Sequence, residues 1–205
     1  VRLFARRRSD GGRALVPPEQ IDLGTVVLRR MTVEDAPAVS GAALQSLEHL
    51  RPWMPWATPE GTSVETQTAR LLGPSGAWTS GSGYEYGIFL PDGPFVGGCG
   101  LHRRIGPAAL EIGYWVHADH VRRGIASTSA AGLTDAGFAV RGIERMEIHC
   151  DEANVASAAV PRRLGYRLES RIAHPPEAPG ETGTRLVWAV YRREWLSRPG
   201  TPSAP

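Results

Sequence analysis

The stretch EIGYWVHADHVRRGIASTSAAGLTDAGF, residues 111–138, decides how this chain is read. Its opening EIGYWV mixes branched and aromatic side chains and reads as a strand. Beyond Gly124, the residues Ala126, Ala130, Leu133, Gly137 and Val140 recur at spacings of four and three, so one face of a helix carries small apolar side chains. A helix with so thin a face can lie close on a sheet. A strand that passes through a glycine turn into a helix leaves the first N–H groups of that helix unpaired. With the positive end of the helix dipole behind them, those donors suit an anion. Gly124 lets a ligand approach the backbone, Ala126, Ser127 and Thr128 leave room, and Arg122 and Arg123 add charge at the rim. An ordinary surface turn between strand and helix would show the same pattern. The stretch is not a nucleotide P-loop, because GxxxxGK(S/T) is absent, and GxGxxG does not occur in it.

Working outward, TVVLRRM (25–31) reads as a strand and TVEDAPAVSGAALQSL (32–47) as a helix opened by the cap-like Thr32. A proline- and tryptophan-bearing loop, LRPWMPWATPEG (50–61), leads to a second helix over 63–72. YEYGIFL (84–90), PFVGGCGLHRR (94–104) and ALEIGYWV (109–116) are three strands, the first two joined by the turn PDGP, and antiparallel pairing of these neighbours is expected. After the long helix come a strand RMEIHCD (145–151), a helix NVASAAVPRRLG (154–165), a strand YRLESRI (166–172) and a final strand RLVWAVYRREWL (185–196). The order β-α-α-β-β-β-α-β-α-β-β predicts a mixed α/β layer domain.

The 205 residues, 41% of them hydrophobic, suffice for one sizeable domain, placed at 21–196 between a basic Gly/Pro-rich lead-in (1–20) and a disordered tail (197–205). The net charge of +2 does not predict nucleic-acid or acidic-membrane binding. All the positive side chains are arginine, since no lysine occurs, so the doublets at 103–104, 122–123, 162–163 and 192–193 are weak signals individually. Cys99 and Cys150 stand far apart in strand-like runs and read as small buried hydrophobes, and His117 and His120 lack a third ligand, so no metal site is expected. No apolar run approaches the roughly 18 residues of a membrane span, and the basic N-terminal residues lack a secretory apolar core. A soluble, cytoplasmic protein with no membrane partner is the expectation.

Residues 111–138, followed by EANVASAAVPRRLGYRLES (152–170), resemble the GNAT N-acetyltransferase superfamily, in particular its RimJ/RimL-like branch of ribosomal-protein N-terminal acetyltransferases. Gly124 and Ala126 match the last two fixed positions of the cofactor motif (Gln/Arg)-x-x-Gly-x-(Gly/Ala), while Asn154, Ser157, Leu164, Gly165 and Tyr166 match the branch's Asn-x-x-Ser and Leu-Gly-(Phe/Tyr). LRPWMPWA resembles the tryptophan-bearing loop after the branch's first helix, and the likeness spans about Val26 to Tyr191. Two positions depart. Val121 stands where the motif has Gln or Arg, and Pro161 stands where many members place a tyrosine thought to act as general acid, so that role is not carried over.

The resemblance implies a mostly antiparallel sheet of about seven strands, splayed at the fourth and fifth by a bulge, with helices on both faces. It implies acetyl-CoA as donor and a primary amine as acceptor, attacking the thioester directly in a ternary complex. The pyrophosphate would be held by backbone N–H groups of Arg122, Arg123, Gly124, Ile125, Ala126 and Ser127, and the pantetheine arm by backbone groups of Trp115 and Val116 and by Asn154. Glu111 would act as general base, suited to it by a carboxyl pKa raised through partial burial, or else is an exposed glutamate paired with an arginine. Ser157 would lie near the cofactor sulfur, and Asn154 and Ser157 also fit a helix cap. Trp53, Met54 and Trp56 either lid the acceptor pocket or cover the sheet edge, and Tyr166 packs in the core.

For the acceptor, a protein N-terminal α-amine competes with a small amine. Glu48, Glu60 and Glu65 hint at an acidic pocket that would suit a polycation. A catalytically silent acyl-CoA-binding domain is the alternative from another class. A nucleic-acid binder is disfavoured by the scatter of the arginine doublets, and a homodimer, through the apolar strand LVWAV, rests on analogy alone.

Overall fold

The computed structural model describes residues 15–73, 78, 80–91 and 93–198. Eight strands form one sheet: β1 (Gln20–Asp22), β2 (Val27–Arg30), β3 (Gly83–Phe89), β4 (Phe95–His102), β5 (Ala109–Val116), β6 (Arg145–Asp151), β7 (Arg167–Ala173) and β8 (Thr184–Tyr191), in spatial order β1-β2-β3-β4-β5-β6-β8-β7. The helices are α1 (Ala36–Gln45), α2 (Leu47–Leu50), α3 (Val64–Leu72), α4 (Ile125–Ala139), α5 (Val155–Arg163) and α6 (Arg192–Leu196). Neighbouring strands are antiparallel, except that β5 and β6, joined through α4, run parallel.

Local chemistry explains where these elements begin. Ahead of α1, Asp35 accepts from the Thr32 backbone N–H at 2.8 Å and is clamped by the Arg29 guanidinium at 2.9 and 2.6 Å. Ser63 caps α3 by accepting from Thr66 N at 3.1 Å. On α4, Gly137 lies so close to β6 that a Cβ there would come 2.6 Å from Met146 Cε and oblige the methionine to shift. That closeness brings Ala130, Leu133 and Ala136 of α4 into one core with Leu101, Leu110, Ile112, Met146 and Ile148 of the sheet. Fully burying Leu133 alone is worth about 1.5–3 kcal/mol. On the opposite face, Val39 and Ala42 of α1 pack with Phe95, Phe89, Met31 and Trp115, so helices cover both faces as expected.

Three sequence expectations change. An eighth strand, β1, precedes the seven, because Gln20–Asp22 pairs with β2. The last residues of the lead-in are tied in as well: Pro18 O accepts from Tyr86 OH at 2.9 Å and Glu19 pairs with Arg30 at 2.8 Å, while residues 1–14 lie outside the described residues. The final strand stops at Tyr191. RREWL turns into α6, where Glu194 accepts from Tyr191 N at 3.4 Å and Trp195 Nε1 donates to Asp135 on α4 at 2.6 Å. At the other end of α6, Arg198 donates to the Gly165 carbonyl at 3.0 Å, and the tail expected to be disordered lies outside the described residues from 199 onward.

The splay forms at β5 and β6, the fourth and fifth strands of the sequence count. Their parallel pairing runs only from Ala109↔Arg145 to Glu111↔Glu147, after which the two strands part. The expected bulge is not its cause, for β4 and β5 stay in register from Gly97↔Val116 to His102↔Glu111. The register shift near that end of the sheet lies between β3 and β4, at Ile88 and Phe89.

Candidate active site

Beyond the point where β5 parts from β6, the chain runs from the end of β5 through a short turn into the N-terminus of α4. Gly124 caps that helix with φ 81°, in the left-handed region, and Arg122 has φ 60°. No side chain caps the helix, and its first intrahelical bond is Thr128 N to Gly124 O at 2.9 Å. The N–H groups of Ile125, Ala126 and Ser127 therefore lack intrahelical acceptors. Arg122 and Arg123 are exposed beside them. Arg163, on α5, reaches across and donates to Ser127 Oγ at 3.0 Å, a cation at the helix start that sequence reading passed over as half of a doublet.

Along the gap, Trp115 and Val116 pair with Gly98 and Gly97 of β4 on one side and face no strand on the β6 side. Where the gap meets α5, Asn154 Oδ1 accepts from Ser157 N at 3.0 Å and so caps that helix. Its cap role holds, and its amide N–H groups remain available toward the cleft it lines. Ser157 Oγ lies 3.2 Å from Tyr114 OH, which also donates to the Ser157 carbonyl at 3.1 Å. Tyr114 was not singled out from sequence. Burial raises its hydroxyl pKa, so it stays protonated near neutrality. Cys150 is only partly buried and lines the cleft, its thiol pushed up to about 11 chiefly by burial, whereas Cys99 is a buried hydrophobe as expected.

A cleft of about 740 Å³ lies at the splay, lined from β3, β4 and β5 as well as from β6 and the start of α5. Trp53, Met54 and Trp56 line it, and Trp56 meets Trp115 edge-on at 5.7 Å, so the tryptophan loop sits at the cleft. Its charged lining is not the one suggested by sequence. Glu48, Glu60 and Glu65 are exposed outside it, and the lining carboxylates are Glu85, Glu111, Asp151, Glu177 and Glu181. Most are already engaged: Glu85 with Arg70, Glu177 with Arg185 at 3.9 Å, and Asp151 with Thr182 N, Thr182 Oγ1 and Gly183 N at 3.0–3.1 Å.

Glu111 sits at the head of the splay with its side chain 9% exposed, and Arg104 grips it with two hydrogen bonds of 2.7 and 2.6 Å. The arginine pairing that one sequence reading gave is present, whereas the exposure in that reading and the raised carboxyl pKa in the other are corrected. Glu111 is buried yet paired, and its carboxyl pKa is lowered: burial pushes it up, but the Arg104 hydrogen bonds and the nearby His149, Arg104 and His102 outweigh that. His149 on β6 approaches from the other side, with Nδ1 3.6 Å from Glu111 Oε2 and Nε2 2.6 Å from Glu147 Oε2. Sequence reading missed both Arg104 and His149. The alternation of β6 could have found the histidine, because Glu147 pairs in register with Glu111 and His149 lies two residues on, toward the same face.

Other candidates sit apart from the cleft. His117 Nε2 lies 2.9 Å from Gln45 Oε1 while its Nδ1 accepts from Asp119 N, and Tyr166 is buried with its hydroxyl 2.7 Å from Thr134 Oγ1, in the core as expected. Among the described residues no group of three His, Cys, Asp or Glu side chains is placed to hold a metal ion, and no helix is long and apolar enough to cross a membrane.

Comparison with known proteins agrees with this geometry. The acetyltransferase (GNAT) domain family matches residues 25–167. Mycobacterium smegmatis RimJ, solved in complex with a CoA-disulfide, superposes with a TM-score of 0.77 at 28% identity, covering 86% of each chain. RimL, a ribosomal L7/L12 α-N-protein acetyltransferase solved with coenzyme A, superposes with a TM-score of 0.76 at 26% identity, covering 84% of this chain and 98% of its own. The self-immunity acetyltransferase MccE, solved with acetyl-CoA and AMP, shares the fold with a TM-score of 0.77 at 16% identity, over 86% of this chain and 98% of its own. An uncapped helix start below a splayed sheet, on a chain matched over most of its length, has one reading: the protein belongs to the GNAT acetyltransferase family and is an acetyl-CoA-dependent acyltransferase.

Proposed function

We propose that this enzyme acetylates a protein N-terminal α-amine by direct attack on acetyl-CoA in a ternary complex. The observation that carries the choice of acceptor is the pairing of the cleft's carboxylates. Glu85, Glu111 and Glu177 are each matched by an arginine, and Asp151 by backbone N–H groups. Among the described residues that line the cleft, a polycationic small molecule would find only Asp151 and Glu181 without an arginine partner, both held by backbone N–H groups, whereas a single amine on a peptide needs one local acceptor and an open groove walled by Trp53 and Trp56. RimJ and RimL support the same choice by likeness, and such an acceptor puts the reaction in the cytoplasm.

The N–H groups of Ile125, Ala126 and Ser127, with the α4 dipole, hold the pyrophosphate, and Arg122, Arg123 and Arg163 supply charge at its rim. Val121 does not disturb this, because the backbone is the grip. The free edge of β5 at Trp115 and Val116, with the Asn154 amide, takes the pantetheine arm. An amine entering by the cleft then meets the thioester at the splay. Its nitrogen bonds to the carbonyl carbon, the carbon–sulfur bond breaks, and the thiolate takes a proton from Ser157 Oγ, which lies 3.2 Å from Tyr114 OH and regains a proton from the one the nitrogen sheds as the amide forms. With Pro161 in place of the tyrosine seen in many relatives, Ser157 and Tyr114 share the acid's task. Glu111, held ionised by Arg104, orients the amine and stabilises positive charge on it rather than storing its proton.

The test is incubation of the enzyme with acetyl-CoA and synthetic peptides carrying free or N-acetylated α-amines, followed by thiol release and peptide mass. Acetylation confined to free α-amines supports the reading. Turnover of aminoglycosides or polyamines with no peptide turnover would move the acceptor to small amines. Binding of acetyl-CoA with no amine acetylated would favour the silent binding domain.

A further inference from the structure

We propose that His149 is the general base that takes the proton of the attacking amine, with Glu147 positioning its imidazole. The inference rests on the acetyl-transfer reading above and supplies a proton acceptor that Glu111, in its arginine clamp, serves poorly.

The hydrogen bonds decide the argument. Glu147 is buried, its side chain 6% exposed, and is ion-paired to Arg145 at 2.8 Å, so it is an acceptor where it meets His149 Nε2 at 2.6 Å. That contact puts a proton on Nε2 and turns the Nδ1 lone pair toward the cleft. There Nδ1 faces Glu111 Oε2 at 3.6 Å, too far for a direct hydrogen bond. When the ring is neutral, two acceptors confront each other here, at the head of the splay where the amine meets the thioester. An ammonium or a water placed between the two would satisfy both. His149 is 14% exposed and lines the cleft, so a substrate seated there can reach it.

The arrangement repeats the logic of an oriented base, in which one carboxylate behind the imidazole fixes its tautomer and aim. The other charges facing it are accounted for: Glu111 on β5 with Arg104 beyond it, Asp151 on β6 engaged by Thr182 and Gly183, and Arg185 on β8 paired with Glu177. The step balances. The ammonium gives one proton to His149 Nδ1, the neutral nitrogen bonds to the acetyl carbon, the carbon–sulfur bond breaks and the thiolate leaves with a proton from Ser157, and the second proton, shed by the nitrogen as it becomes an amide, restores the Ser157 hydroxyl. His149 then returns its proton to solvent, so one proton is released for each ammonium acetylated.

The experiment measures kcat and KM for acetyl-CoA with free α-amine peptides beginning Ser, Ala or Met. His149→Gln keeps a donor toward Glu147 but removes the Nδ1 acceptor. It should lower kcat at least about 100-fold, the lower bound for a general base, with acetyl-CoA affinity by calorimetry unchanged. His149→Ala should regain activity on addition of imidazole. Glu147→Gln should lower kcat about tenfold without changing peptide KM, as expected of a positioning partner. A His149→Gln enzyme within about threefold of the unsubstituted kcat, or a His149→Ala enzyme that binds acetyl-CoA normally yet gains nothing from imidazole, overturns the assignment and leaves acetyl transfer standing. If the unsubstituted enzyme binds acetyl-CoA and acetylates none of the peptides, the transfer reading itself falls and this assignment falls with it.

Discussion

Replacing Arg104 with glutamine should destabilise the fold strongly at neutral pH and much less in mild acid. The guanidinium supplies two short charge-assisted hydrogen bonds to Glu111, a side chain only 9% exposed. Each such bond contributes about 1.5–3 kcal/mol when fully buried. Arg104 itself is 61% exposed, so solvent screens the pair and the lower end applies. A loss of about 2–3 kcal/mol near pH 7.5 is expected. The sign of the pH dependence follows from the lowered carboxyl pKa of Glu111. In the unsubstituted protein the pair's contribution is full above the unfolded carboxyl value and is lost as pH falls through the lower folded value. In the variant, burial is left to dominate and the folded value rises, so the carboxyl takes up a proton at higher pH and the penalty shrinks on acidification. Urea unfolding at pH 7.5 and pH 4.5 measures both. A penalty equal at the two pH values, or larger at pH 4.5, would refute the clamp as the cause.

Further outcomes follow from the cofactor end of the site. Gly124→Val forces a β-branched side chain into φ 81°, at a cost of about 1–2 kcal/mol; because the change also crowds the N–H groups, coenzyme A affinity measured by calorimetry should fall at least tenfold, and unchanged affinity would move the pyrophosphate elsewhere. Asn154→Ala removes the α5 cap and should lower stability by about 0.5–2 kcal/mol in chemical denaturation; a loss of stability with coenzyme A affinity intact would confine Asn154 to the cap. Ser157→Ala should lower kcat while leaving coenzyme A affinity within about threefold, a split that equal losses in both would contradict.

The strand, turn and helix at 109–139 were legible because local periodicity, one glycine and the strand before it are contiguous in sequence. Elements fixed by distant partners were not. Gln20–Asp22 is a strand only because β2 offers its edge, and RREWL follows the apolar run of β8 directly but turns into a helix whose Trp195 bonds to Asp135 on α4. The site divides the same way. Gly124, Ala126, Asn154 and Ser157 lie in contiguous motifs, and the structure brings Asn154 and Ser157 together at the start of α5, facing Tyr114 of β5. Arg104, Tyr114 and His149 become neighbours of Glu111 or Ser157 only once strands distant in sequence are set side by side. The acidic segment around Glu48 and Glu60 misled because a carboxylate's place in the chain does not say which face it takes.

The central claim is that acetyl-CoA held on the α4 N-terminus delivers its acetyl group through the splay to an α-amine. The direct measurement pairs thiol release with peptide mass in one reaction, using a peptide with a free N-terminus and the same peptide already N-acetylated. Thiol released in equal amount to acetyl gained by the free peptide, with none from the blocked one, is the predicted result. Thiol release that is indifferent to the state of the N-terminus, or that leaves the free peptide's mass unchanged, would contradict it.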